Sequence, residues 1–307
     1  MRASVTVRVP GSTSNLGAGF DCVGMAVDRW LTLTAHVPSP ASDAVTIERR
    51  GTLAEVTVPV EQDLCYRGFL QACEAAGRRP PPGLHLSAES DIPVARGLGS
   101  SAAATVAGAV AASDLLGVTL ERDALAQLCT ALEGHPDNVA PAVFGGAVLA
   151  VHAATGKGIV VTPLAVHASL AFVFAVPDFV VETKQARAVL PASVSHATAV
   201  TGAARAAALV QGLSTGDERL LAAALDDVLH VPFRRTLVRG YDAVVGAARR
   251  AGAFGATLSG SGPTILAVAS SARAAEIGAA MVRAWGADGI KADSFVVSRP
   301  AGGYEIA

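Results

Sequence analysis

The stretch Pro93-Val94-Ala95-Arg96-Gly97-Leu98-Gly99-Ser100-Ser101-Ala102-Ala103 constrains this chain more than any other segment. It follows a strand-like run, Leu84–Ala88, and opens an alanine-rich helix expected from Ser100 toward Leu116. Glycines at 97 and 99 permit positive φ and let a ligand approach the backbone closely. A helix start adds unpaired N–H groups and the positive end of a dipole, so the junction suits an anion such as phosphate. Ser100 and Ser101 bring hydroxyls for phosphate oxygen or Mg²⁺. A glycine-rich turn with a serine cap is the competing reading. Two phosphate-site templates fit less well. No lysine follows Gly99, which excludes the Walker pattern. Gly97, Gly99 and Ala102 satisfy G-x-G-x-x-[GA] literally, but the stretch where an acidic strand end should follow, Thr119–Ala131, reads as helix.

Composition sets the class. Of 307 residues, 51% are hydrophobic and 16% charged, enough apolar material for a packed core and too much for a disordered chain. The net charge of −2 argues against bulk attraction to nucleic acid or an anionic membrane. Mean hydropathy is high, at +0.44, yet the apolar runs are short and interrupted. A spanning helix needs about 20 apolar residues, and none is expected here. Four cysteines form no C-x-x-C pair, so free thiols and a cytoplasmic enzyme are the expectation.

The pattern along the chain places strands at Val5–Val9, Leu31–Val37, Val45–Ile47, Val56–Val58 and Leu84–Ala88, with a helix over Gln62–Ala76. After the Ser100 helix, Thr119 is the expected cap of another, and Gly145–Val151 is the next strand. The second half reads as strand Leu170–Val176 and helices Glu182–Leu190, Ala197–Leu213, Glu218–Leu229 and Arg234–Ala251. Strands Ala256–Leu258 and Ile265–Ala269, helix Ala272–Trp285 and strand Ser294–Ser298 follow. The turn Ala154-Thr155-Gly156-Lys157-Gly158 suggests two domains, 1–160 and 161–307.

Three further segments carry chemistry. Pro10–Asp21 reads as a long loop rich in small polar residues and glycine, a candidate binding loop. Glu133-Gly134-His135-Pro136-Asp137-Asn138 gathers two carboxylates, an imidazole and an amide at a helix end. Thr257-Leu258-Ser259-Gly260-Ser261-Gly262-Pro263 is a second Gly/Ser turn, able to close on an anion.

These blocks, P-x-x-x-x-N-x-G-x-G-F-D, P-x-x-x-G-L-G-S-S-A and S-G-S-G-P in that order, resemble the GHMP small-molecule kinases. Within that superfamily the chain is similar to the homoserine kinase family. Glu133–Gly146, Thr183–Pro191 and Val231-Pro232-Phe233-Arg234 extend the resemblance over roughly residues 5–270. It implies an α+β fold of two parts: an N-terminal half like ribosomal protein S5 domain 2 with a left-handed βαβ crossover, and a ferredoxin-like C-terminal half. It implies ATP-dependent phosphorylation of the side-chain hydroxyl of L-homoserine, in threonine biosynthesis, with ATP and Mg²⁺ as cofactors and a homodimer as the expected assembly. By the family pattern Pro93–Ala103 binds ATP, with the triphosphate over Gly97–Ala102, Asp63 lies near the adenine, and Ser100 and Glu133 hold Mg²⁺. Asn15, Asp21, His135, Asp137, Thr183, Arg187, Arg234 and Thr257 surround the substrate. The chemistry is consistent with that. Homoserine's carboxylate wants guanidinium groups, Arg187 and Arg234; its ammonium wants a carboxylate, Asp21. Asn15 and Arg187 would position the hydroxyl. Asp137 and Glu133 complete the catalytic group, with Asp137 acting on binding rather than as a base. A mevalonate-type kinase and a non-catalytic nucleotide or metabolite sensor of the same fold are the alternatives.

Overall fold

The computed structural model describes residues 2–38, 44–156 and 158–307; Lys157 of the expected turn lies outside them. In the first half, β1 (Ser4–Asn15), β2 (Gly19–His36) and β3 (Thr46–Gly51) precede α1 (Leu64–Ala75), β4 (His85–Ser90), α2 (Ser100–Leu116) and α3 (Arg122–Glu133). Then come α4 (Val139–Phe144), β5 (Ala147–His152) and β6 (Ile159–Leu164). The second half holds β7 (Leu170–Pro177), α5 (Thr183–Ala188), α6 (His196–Thr215), α7 (Glu218–Ala224), α8 (Val231–Arg234) and α9 (Tyr241–Arg250). It ends with β8 (Gly255–Leu258), β9 (Ile265–Ser270), α10 (Ala274–Ala287), β10 (Ala292–Val297) and β11 (Glu305–Ile306).

One sheet has the order β11-β1-β2-β4-β3. β2 is long enough to branch: Leu31–His36 pairs with β4, while Val23–Met25 pairs with β5, which carries β6. β3 and β4 run parallel with α1 as their crossover. The second sheet has the order β10-β7-β9-β8, antiparallel throughout. Counted along the chain that is 4-1-3-2, the ferredoxin-like arrangement.

The apolar run of β7 follows from burial on both faces. Leu170, Phe172 and Phe174 join the core of the first half, and Ala171, Val173 and Ala175 pack with α9 and α10. Alanine richness in α2 has an equally local cause. A Cβ on Gly108 would lie 1.8 Å from the Cys65 carbonyl oxygen of α1. Only a helix of small residues can cross a neighbour that closely.

Several expectations change. Pro10–Asp21 is a β-hairpin rather than a loop, with its tip in the left-handed conformation at Asn15, Leu16 and Gly17. Val56–Val58 is irregular, and Glu121, not Thr119, stands at the start of α3. The helix expected over Arg234–Ala251 is broken, because Gly240 in the left-handed region separates α9 from α8. The 160/161 division falls inside β6, which is hydrogen-bonded to β5; the chain changes sheets between Leu164 and Leu170 and returns to the first with β11.

Candidate active site

β1 forms the floor of the site. From Pro10 to Asn15 it is buried, although it offers almost no large apolar side chain. Buried polar groups need partners, and these find them on distant segments. Ser12 Oγ lies 3.0 Å from Asn138 Oδ1, and Asn138 Nδ2 donates to Ser14 Oγ at 3.0 Å. The hydroxyls of Thr13 and Ser259 are 2.8 Å apart, and Asn15 Nδ2 donates to the Gly260 carbonyl at 2.9 Å. The hairpin therefore joins the Glu133–Gly146 segment to the Ser259–Thr264 turn.

The glycine loop is held from both halves. Its Leu98 carbonyl accepts from Ser12 N at 3.0 Å, and its Gly97 carbonyl accepts from Ser259 Oγ at 2.6 Å. Val181 N and Thr264 N donate to the Ala95 and Arg96 carbonyls at 3.4 and 3.3 Å. A Cβ on Gly97 would stand 2.2 Å from the Ser259 carbonyl oxygen, so only glycine fits. The Ser259–Gly262 turn, expected to close on an anion, thus also braces the loop that would bind it. Ala95, Gly97 and Gly99 all have positive φ, and Gly99 leads directly into α2. The first N–H groups of α2 have no intrahelical partner, as at every helix start.

Gly97–Ser101, Glu133 and the expected substrate residues line one cavity of about 310 Å³. Those substrate residues are Asn15, Asp21, His135, Asp137, Thr183, Arg187 and Arg234. Asp21 and Arg187 form a two-pronged ion pair, with Nη1 and Nη2 3.1 and 2.9 Å from the two carboxylate oxygens. The hydrogen bond to Asp21 holds the Arg187 guanidinium above its usual basicity against the opposing effect of burial. Arg234 is 2% exposed, and burial, then the neighbouring Arg187, push its basicity down. Two guanidiniums thus converge on the cavity, with the Asp21 and Asp137 carboxylates acting on both. His135 Nδ1 donates to Asp137 Oδ1 at 2.6 Å. Burial disfavours the imidazolium, but the Asp137 hydrogen bond and charge outweigh it and hold the ring above its ordinary value. Asn15 is tied at both ends, because its Oδ1 also accepts from Asp21 N at 3.0 Å.

Glu133 faces the start of α2. Its Oε2 accepts from Ser101 Oγ at 2.9 Å and its Oε1 from Thr105 Oγ1 at 3.2 Å. With Ser100 also on the cavity wall, the site offers a few hard oxygen donors beside the glycine loop. That suits Mg²⁺, which takes one or two carboxylates and completes its shell with water and phosphate.

Other expected residues lie elsewhere. Asp63 caps α1, accepting from Cys65 N at 2.9 Å and from Arg49 Nε at 2.9 Å, and lines neither this cavity nor the next. Thr257 is fully buried on β8, its hydroxyl without a partner among the described residues. Pro93, Val94 and Arg96 face a neighbouring cavity between the sheets, and Ala102 and Ala103 are in the core. Ser14, Asn138 and Ser261 line the site without having been assigned to it. All three sit inside the sequence blocks already singled out, which was the available signal.

Residues 63–146 match the GHMP kinases N terminal domain and residues 206–288 match GHMP kinases C terminal. The chain belongs to the GHMP kinase family. Among other members of that family, a homoserine kinase of Trichormus variabilis is 44% identical over 94% of each chain. One of Synechococcus sp. is 42% identical over 98% of this chain and 97% of its own. The crystal structure of a homoserine kinase from Cytophaga hutchinsonii superposes with a TM-score of 0.89 at 32% identity, covering 100% of this chain and 98% of that one. The cavity between the glycine loop and the two arginines is the candidate site for the chemistry of that family.

Proposed function

We propose that this GHMP kinase is a homoserine kinase, forming O-phospho-L-homoserine and ADP from L-homoserine and ATP. The observation that carries the reading is the Asp21–Arg187 pair with Arg234 beside it, one cavity width from the start of α2. An amino acid brings one carboxylate and one ammonium. Its carboxylate replaces Asp21 as partner of Arg187 and gains Arg234; its ammonium takes Asp21 in exchange. Mevalonate brings a carboxylate but no cation, and would leave Asp21 without a partner.

With the zwitterion held there, the side-chain hydroxyl points toward phosphate bound at Gly97–Ser101. Its oxygen forms a bond to the γ-phosphorus as the bond to the bridging oxygen of ADP breaks, and the hydroxyl proton is released. Alignment and charge neutralisation do most of the work in such transfers. Mg²⁺ held by Glu133 and Ser100 would supply charge neutralisation at the phosphates. Ser101 and Thr105 fix the Glu133 carboxylate. A loose transition state needs no early deprotonation of the alcohol, so no dedicated base is used, and Asp137 Oδ1 instead holds His135. The ATP requirement and four free thiols fit a cytoplasmic enzyme. ADP release measured with L-homoserine, L-serine, L-threonine and mevalonate tests the reading: homoserine should be the preferred acceptor by kcat/KM, and preference for mevalonate would reject it.

A further inference from the structure

Behind Arg234 lies a histidine that none of this chemistry uses. His230 is fully buried one helical turn before Arg234. Its Nε2 is 3.1 Å from the Gly17 carbonyl at the hairpin tip, and its Nδ1 is 3.4 Å from Arg234 Nη1. Phe20 of the same hairpin stacks on the imidazole, with ring centroids 4.8 Å apart and planes 17° from parallel. The Arg234 guanidinium lies over that Phe20 ring, 5.1 Å from its centroid. The remaining Arg234 contacts are to the Ala186 carbonyl at 3.0 Å and the Gly260 carbonyl at 3.4 Å.

The two imidazole contacts fix the tautomer. A carbonyl can only accept, so Nε2 carries the proton; a guanidinium can only donate, so Nδ1 is bare. Burial lowers the basicity of His230; the Asp227 carboxylate opposes this, and Arg234 adds to it. Asp227 Oδ2 meanwhile accepts from the backbone N–H of Leu229, His230 and Val231 at 3.0, 2.7 and 2.8 Å, which sets the ring's backbone. Asp21 is the other charged group acting on the ring.

We propose that His230 is a positioning residue: its bare Nδ1 aims Arg234 at the substrate carboxylate, while its Nε2–H ties that aim to the hairpin carrying Asn15 and Asp21. This rests on the reading that Arg234 receives the carboxylate of an amino-acid substrate. One residue thereby sets the spacing between the group that reads the carboxylate and the group that reads the ammonium.

The readout is the ratio of kcat/KM for L-homoserine to that for 3-amino-1-propanol, which lacks only the carboxylate. His230→Asn keeps an acceptor near the Nδ1 position; His230→Gln keeps a donor near Nε2 and removes that acceptor. The Asn variant should hold the wild-type ratio within about threefold, and the Gln variant should lose about tenfold or more, mostly through the KM for homoserine. Equal ratios in the two variants would overturn the proposal. Wild-type enzyme supplies a second test that does not rest on kinetics. Long-range ¹H–¹⁵N NMR of the imidazoles, with His230 assigned by its absence from the Asn variant, should show the Nε2–H tautomer at pH 7.5. An Nδ1–H tautomer or an imidazolium would overturn it. Arg234→Ala separates the two claims: if it leaves the ratio intact, the carboxylate reading fails, whereas a collapsed ratio with intact His230 variants rejects His230 alone.

Discussion

Arg187 and Asp21 meet face to face across the two halves of the chain, from α5 to the β1–β2 hairpin, through a pair of hydrogen bonds of 2.9 and 3.1 Å. On the proposed function each would complement one end of an amino acid, and binding would exchange one ion pair for two. The pair is more than a third exposed on both sides, so it contributes little to folding. On the proposed function its role is recognition.

Removing one partner should therefore act on turnover rather than stability. Arg187→Ala leaves a substrate carboxylate short of a partner in a partly desolvated site. We expect kcat/KM for homoserine to fall by about 30-fold to several-thousand-fold, corresponding to roughly 2–5 kcal/mol, with little change in melting temperature. Steady-state kinetics and thermal denaturation of the same sample check both halves of this statement. A loss below about threefold would make Arg187 an ordinary surface charge.

The metal assignment is tested one step out from the metal. Glu133→Gln should raise the Mg²⁺ concentration needed for half-maximal rate. Ser101→Ala, which removes a hydrogen bond to the Glu133 carboxylate, should shift the same quantity in the same direction. Partners that orient a metal-binding carboxylate typically matter by about 10–100-fold. Mg²⁺ titrations of initial rate read this out, and unchanged Mg²⁺ dependence in both variants would remove Glu133 from the metal site.

How legible the site was in the sequence differs residue by residue. The glycine loop, the Glu133–Asn138 cluster, Arg187 and Arg234 were identifiable because their residue types, in that order, match a family pattern. The strand character of the hairpin is not visible in its residue types. Gly11-Ser12-Thr13-Ser14-Asn15 is nearly devoid of large apolar side chains, and its strand character comes from β2 and from hydrogen bonds to Asn138, Ser259 and Gly260. Tertiary contacts overrode local propensity. The use of Asp63 is hidden for a similar reason: its carboxylate stands at a helix start and is engaged by Cys65 N and Arg49. The break before α9 depends on one left-handed glycine, Gly240, which an alanine-rich helical pattern conceals.

His135 should titrate in a way that reports on Asp137. Its folded pKa is raised, so the stabilisation from the charged pair is fully present below about pH 6.5 and is lost as pH rises through that raised value. Asp137→Asn should lower the His135 pKa, seen in the pH dependence of its ring resonances, and flatten this part of the stability profile. It should raise the KM for homoserine and change single-turnover transfer at saturating homoserine by much less than the 10²–10⁴-fold typical of a lost general base. A loss of more than about a hundredfold in that step would make Asp137 the base.

The α1–α2 crossing sets where the start of α2 sits. Gly108→Ala would place a methyl 1.8 Å from the Cys65 carbonyl oxygen and force the helices apart. We expect destabilisation of about 1–3 kcal/mol from overpacking, read by chemical denaturation. Because α2 begins at Ser100, the KM for ATP should rise as well. Unchanged stability would show that the helices separate without cost.

The acceptor that the enzyme phosphorylates is the most direct test of the proposed function. An equimolar mixture of L-homoserine, L-serine, L-threonine and mevalonate, supplied with ATP and Mg²⁺ and followed by ³¹P NMR, lets the acceptors compete in one tube. We expect O-phospho-L-homoserine as the dominant phosphorylated alcohol, in step with ADP. Phosphomevalonate as the main product, or ADP formed without any phosphorylated acceptor, would contradict the reading of Asp21, Arg187 and Arg234 as receptors for an amino acid.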